Sequence, residues 1–317
     1  MTQNANNWKR LLECYKLDDR LRQVRHEGLT TLGARARYKL LRLKYQFLPH
    51  YFSRAPRWRV WLRSLTGPRT LPDFACVGAL KCGTSDLATY LFQHPCILPP
   101  LCKEVTARDT KMWLPYYPTV REKERVAREH GMALCGHFNP LLHGVTLMDA
   151  YYAARPDAKV ILMLRNPIDR AYSHYKWSIL LGGKGLRQNQ YYKTFAACVT
   201  TSIELFPTVP FPSGSRFDVL QTGIYVKAVE LWIRRFGREN VFVVRAEDFF
   251  EETALTVCKI HEFLGIPALA PELHEVVNKN PLSVPPMDEE TRQTLQAFYH
   301  PWNDMLYRVL DRDMGWG

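Results

Sequence analysis

The chain of 317 residues is 46% hydrophobic and 23% charged, an ordinary globular composition with enough apolar side chains for one large domain or two small ones. Lys and Arg number 43 against 31 Asp and Glu, and the charge of +12 favours an anionic partner: a nucleotide, a sulfated or carboxylated glycan, a membrane surface or a nucleic acid. The eight cysteines form no C-x2-C pair and no cluster with histidine, which argues against a zinc site and for buried free thiols.

Residues 1–70 are rich in Arg, Lys, Trp and Leu at roughly helical spacing. They are expected to form a basic helical extension packed on the rest of the chain with its charged face in solvent; contact with a membrane surface or an acidic polymer is the alternative use. From Pro72 onward, short apolar runs alternate with helical patterns: DFACVG then TSDLATYLFQH, ALCGHF then VTLMDAYYAAR, KVILML then PIDRAYSHYKWSILL, and later YVKAVELWIRRFG then VFVVR. This alternation predicts an α/β domain over 71–317, with a central parallel sheet flanked by helices. Residues 188–215 read as an insertion with a proline-rich end, and no repeat or low-complexity segment is present. There is no N-x-[ST] sequon, no signal-peptide apolar region and no run of ~18 apolar residues, so a soluble, cytoplasmic protein is expected, with the Golgi lumen as the alternative if an anchor precedes the chain.

The stretch VGALKCGTSDL approaches a phosphate-binding loop, with two glycines followed by a hydroxyl pair. An ATP- or GTP-binding loop carries Lys after its second glycine; here Thr84 occupies that position and Lys81 lies inside the turn. The strand–loop–helix context directs the backbone amides of Cys82, Gly83, Thr84 and Ser85 and a helix N-terminus toward one anion. A tight βα turn capped by Thr84 would look the same, but a lysine inside an anion-binding turn has no packing explanation. The second candidate is KVILMLRNPIDRAYSHY, in which a strand ends at Arg165 and Ser173 follows on the next helix, a pair suited to clamping a second phosphate. A surface pair between Arg165 and Asp169 would fit this stretch equally well.

Together VGALKCGTSDLATYLFQHP and LRNPIDRAYSHY resemble the 5′-phosphosulfate loop and the 3′-phosphate site of sulfotransferases that use 3′-phosphoadenosine 5′-phosphosulfate (PAPS), especially the carbohydrate and heparan-sulfate-type branch. The resemblance continues through GIYVKAVELWIRRFGRENVFVVRAEDFFEE and HEFLGIP to FYHPWNDMLYRVLDRDMGW, from Pro72 to Trp316. It implies the P-loop-like sulfotransferase fold and transfer of a sulfuryl group from PAPS to an acceptor hydroxyl, on a sugar or a small metabolite, with an amine less favoured. It gives nucleic acid no role and requires no metal. Lys81 would then stabilise charge on the bridging oxygen of the leaving phosphate.

The resemblance also implies a base. Glu104 in CKEV falls where heparan-type members carry a catalytic glutamate, while His137 in CGHFNP resembles the uronyl 2-O branch and competes with it. Lys279 and Asn280 occupy the place of a basic K-G-R loop whose arginine is missing here, and Tyr225 is a further candidate for the nucleotide pocket. The rival readings are a P-loop nucleotide kinase or NTPase, and a catalytically silent PAPS- or glycan-binding protein of the same fold.

Overall fold

The computed structural model describes residues 7–105, 112–140, 144–186, 193–207, 219–275 and 283–316. Its centre is a sheet of five parallel strands, β1 Phe74–Gly78, β2 Ile97–Leu98, β3 Leu134–Phe138, β4 Lys159–Leu164 and β5 Val241–Arg245, in the order β2-β3-β1-β4-β5. All five residues of β1 are buried, as are the last five of β4, because helices cover both faces and leave no solvent side for polar alternation. Four of these strands coincide with apolar runs in the sequence. The short edge strand β2 carries no such signal, since it is two residues long and framed by Pro95 and Pro99.

Chain order around β1 decides where a ligand can sit. The chain leaves β1 for β2 and β3 on one side, then crosses to β4 and β5 on the other, so the loops after β1, β3 and β4 diverge at the carboxyl edge of the sheet. Such a divergence opens a crevice that close-packed loops would otherwise fill. At the opposite edge, Asp73 just before β1 binds Lys123 and Arg155 and accepts from the Cys135 amide at 2.8 Å, tying three neighbouring segments together.

The helices flanking the crevice are α4 Thr84–Leu91 after β1 and α7 Pro167–Leu186 after β4. Asn166 caps α7 by accepting from the Ile168 amide, and the Asn166 amide in turn donates to Glu247 at 2.8 Å. Helices α5 Val120–His130 and α6 Val145–Ala154 precede β3 and β4, and α8 Phe195–Glu204 lies within the stretch read as an insertion. Beyond it come α9 Val226–Phe236, α10 Ala246–Glu251, α11 Thr253–Leu264 and α12 Glu289–Leu310. The eight cysteines are free thiols, seven of them buried.

The N-terminal residues form α1 Asn7–Glu27, α2 Leu32–Gln46 and α3 Arg57–Ser64. Helix α1 buries Leu11, Cys14 and Tyr15 in the common core, and the Tyr15 ring meets Phe52 edge-on at 5.3 Å. Between α2 and α3 the chain runs along residues 101–104: Tyr51 donates to Leu101 at 2.8 Å, and Lys103 and Glu104 donate back to Tyr51 and Phe52 at 3.0 and 2.8 Å. A segment far upstream of the phosphate-like loop thereby borders the crevice.

Candidate active site

The loop from Ala79 to Gly83 turns sharply between a buried strand and a buried helix, and two residues in it have positive φ. Gly83, at +94°, precedes the first residue of α4, and a Cβ there would lie 2.9 Å from the Phe250 ring and 3.2 Å from Met163. Glycine is therefore required twice, by conformation and by space. Gly83→Ala should cost about 1–3 kcal/mol, the usual penalty for a non-glycine residue held in such a conformation. Chemical denaturation checks this, and an unchanged midpoint would show that the turn accommodates a side chain. Lys81, at +68°, adopts the same left-handed region without being glycine, a conformation that persists only where surrounding contacts enforce it.

Those contacts are visible. The Ala79 amide donates to Met163 of β4, the Cys82 amide turns back to Ala79 at 3.3 Å, and Arg165 Nη1 donates to the Lys81 carbonyl at 3.4 Å. Lys81 Nζ lies 5.3 Å from the centroid of the Trp177 ring, a cation–π arrangement that directs the ammonium across the crevice toward α7. Thr84, Ser85 and Asp86 form the first turn of α4, where backbone N–H groups have no partner within the helix. The Cys82 amide is already used within the loop, and its thiol is buried, pushed up to about 11 by that burial and so held protonated.

Arg165 follows the last residue of β4, with its guanidinium 5.8 Å from the Phe250 centroid. Ser173 and Trp177 stand one turn apart on α7 and face the same crevice. The alternative pairing of Arg165 with Asp169 is not formed: Asp169 faces Arg292 at 3.4 Å. Tyr225, expected to line the pocket, is instead fully buried behind it, where its hydroxyl donates to the Arg165 carbonyl at 2.9 Å and its ring meets Trp316. An aromatic ring at this point of the core braces the backbone of the clamp from behind. Lys279 and Asn280 lie outside the described residues.

Glu104 reaches the crevice from the third side. Its carboxylate accepts from Lys103 Nζ at 3.1 Å, and the Lys103 side chain is fully buried with Nζ 4.9 Å from the Phe52 centroid. Asn139, after β3, fixes the same segment by donating through Nδ2 to the Val105 carbonyl at 2.9 Å. The geometry separates His137 from this group. It is buried between Trp113, whose ring stacks at 4.7 Å, and the Tyr117 hydroxyl, 2.5 Å from Nδ1. Burial, with Lys103 nearby, lowers it to about 3, so it stays neutral from pH 5 to 8, and it does not line the cavity.

One cavity of about 160 Å³ collects Lys81, Gly83, Thr84, Ser85, Glu104, Arg165 and Ser173. Its walls also include Phe52, Leu80, Asp86, Pro140, Trp177 and Phe250, none of them read as site residues from the sequence. Trp177 could have been found from its position four residues after Ser173 on one helix; Phe52 and Phe250 come from distant segments and carry no local signal. Its lining charges are balanced, Lys81 and Arg165 against Asp86 and Glu104; behind it His174 is held well below its ordinary range by burial, then by Arg170 and Lys81, and Lys176 is lowered by burial, then by Arg165. A second cleft of about 220 Å³ beside β2 contains Arg63, His50 and His94, but these already bond the carbonyls of Pro115, Tyr117, Pro100 and Pro267. It has no comparable set of groups left to hold a phosphate.

An arginine directly after β4, a lysine inside a glycine turn and a helix N-terminus all face one cavity at the sheet's switch point, groups of the kind that can hold anions. The sulfotransferase-domain profile matches residues 71–285. The chain belongs to the sulfotransferase family. A solved sulfotransferase from Alicyclobacillus acidocaldarius is similar to it at 27% identity and a TM-score of 0.57, covering 78% of this chain and 99% of that one, and shares the parallel sheet flanked by helices. Carbohydrate sulfotransferase 15 of Mus musculus is 28% identical over 184 residues, which are 51% of this chain and 32% of that protein, so the match spans about a third of the relative's length. Mouse heparan sulfate glucosamine 3-O-sulfotransferase 6 is 22% identical over 283 residues, 79% of this chain and 75% of that protein.

Proposed function

We propose that this sulfotransferase moves the sulfuryl group of PAPS to an acceptor hydroxyl, and that the cavity of Lys81, Arg165, Ser173 and Glu104 is where it does so. The observation carrying this reading is their convergence: two cations, a helix N-terminus and a carboxylate from three separate chain segments face about 160 Å³ of space. The donor supplies a sulfuryl group on a phosphate that leaves readily. Lys81 and the first turn of α4 hold the 5′-phosphosulfate, where Lys81 meets the negative charge gained by the leaving phosphate. Arg165 and Ser173 hold the 3′-phosphate; the only described hydrogen bond of the Arg165 guanidinium is the long one to Lys81, so most of its five donors are uncommitted among the described residues. Glu104 accepts the proton of the attacking hydroxyl, held in place by Lys103.

The acceptor class we favour is a sugar hydroxyl, with a small soluble alcohol as the alternative. Support comes from the carbohydrate and heparan sulfate relatives.

The decisive experiment is nucleotide discrimination. The protein should be stabilised far more by 3′,5′-adenosine bisphosphate than by AMP, because only the former engages Arg165. Arg165→Ala should remove that preference, a loss of about 1.5–3 kcal/mol or roughly 10–100-fold in affinity. Equal melting shifts with the two nucleotides in the wild type would remove the PAPS assignment, and magnesium-dependent ATP turnover would replace it with a nucleotide kinase.

A further inference from the structure

Helices α2 and α3 bury no residue, although both are amphipathic. The inner stripe of α2, through Tyr38, Leu41 and Tyr45, is half-buried against the protein. Its outer stripe carries Leu32, Leu40, Leu43 and Phe47, spaced as one helix face, with Leu32 84% and Phe47 70% exposed. On α3 and its C-terminal cap, Trp58, Trp61, Leu62 and Leu65 repeat the pattern at the spacing i, i+3, i+4, i+7, with Trp61 64% exposed. The two stripes meet where the Phe47 and Trp58 rings approach to 6.3 Å, so they form one surface. Among the described residues nothing covers it.

Its charge is one-sided. Between Gly28 and Pro72 there are ten Lys and Arg and no Asp or Glu. On α2, Arg35, Lys39 and Arg42 border the apolar stripe on one side and Arg37 and Lys44 on the other. A stripe of Leu, Phe and Trp edged on both sides by cations matches the layered chemistry of an anionic bilayer surface, where phosphates meet the cations and the acyl boundary takes the rings. A second copy would bring an equally cationic face against this one. A polyanionic chain would use the cations but leave the apolar side chains without a role.

We infer that the outer face of α2 and α3 is a docking surface for a lipid bilayer rich in anionic headgroups. Tyr51 and Phe52 join the two helices, and Phe52 lines the cavity, so docking sets the cavity beside the lipid surface. The inference does not depend on the donor nucleotide.

Co-sedimentation tests it, using phosphatidylcholine vesicles with and without roughly one-third phosphatidylserine. The wild-type chain should pellet with the anionic vesicles, remain in solution with the neutral ones, and be released by added salt. The pair Trp58→Ala and Trp61→Ala, and separately Arg37→Gln with Lys39→Gln, Arg42→Gln and Lys44→Gln, should each weaken binding about tenfold or more. Both sets change exposed side chains, and an unaltered circular-dichroism melting curve confirms that the fold is retained. The inference is overturned if the chain ignores anionic vesicles, or if binding persists in the tryptophan variant and is matched by dextran sulfate, which would assign the face to a polyanion. A concentration-dependent dimer abolished by the same tryptophan substitutions would assign it to a second copy and overturn it equally.

Discussion

Lys81→Ala is expected to lower kcat by about 10²–10³-fold while leaving the affinity for 3′,5′-adenosine bisphosphate within roughly threefold of wild type. The asymmetry follows from where the charge develops. The product nucleotide lacks the sulfuryl group, so its binding does not report on the bridging oxygen; the rate does, because negative charge grows on that oxygen as the bond breaks. Backbone strain does not confuse the comparison, since alanine meets the same left-handed penalty at +68° that lysine already carries. Lys81→Arg should recover little activity: a planar fork cannot place a compact charge inside the turn between Gly78 and Gly83. EDTA should leave the wild-type rate unchanged in this reading, with lysine supplying the charge. Single-turnover kinetics with saturating PAPS separates the two effects, and near-normal turnover by Lys81→Ala would return the loop to a merely structural βα turn.

Glu104→Gln is expected to reduce turnover by about 10²–10⁴-fold with nucleotide affinity nearly intact, the range associated with loss of a general base. This substitution has a structural cost as well, because Lys103 has no exposed side-chain surface and Glu104 is its carboxylate partner at 3.1 Å. Breaking a fully buried pair costs about 3–5 kcal/mol, and this pair should cost less because Glu104 retains 23% exposure. Adding Lys103→Met to Glu104→Gln removes the stranded ammonium. The double variant should regain stability but not activity, whereas a base located elsewhere would let turnover return with stability. His137→Ala supplies the contrast. A rate governed by His137 would titrate near its lowered value of about 3 and be flat from pH 5 to 8, and loss of turnover in that variant alone, at unchanged nucleotide binding, would transfer the role to histidine.

Local sequence was sufficient to find the two strand–loop–helix units proposed to bind anions. Glycine at 83, a lysine two residues earlier and a helix beginning at Thr84 follow a buried strand without interruption, and Arg165 ends another such strand before a proline-started helix. Each lies within one strand–loop–helix unit, whose shape is set by hydrophobic periodicity and by glycine's backbone freedom, both readable from neighbouring residues. Alternation of strand and helix patterns likewise determined the parallel sheet. Which loops meet was decided only by strand order, because β1 lies between β3 and β4 and a crossover long enough to return along the sheet can add its strand on either side. That order brings Glu104, Lys81 and Arg165 to one cavity. Tertiary packing also turned Tyr225 into a brace and enclosed His137 among aromatic rings, and it carried Phe52 from the N-terminal segment to the cavity wall. A side chain's residue type states what chemistry it can do; its burial, and hence its protonation and reach, depends on segments far away in the chain that exclude water around it.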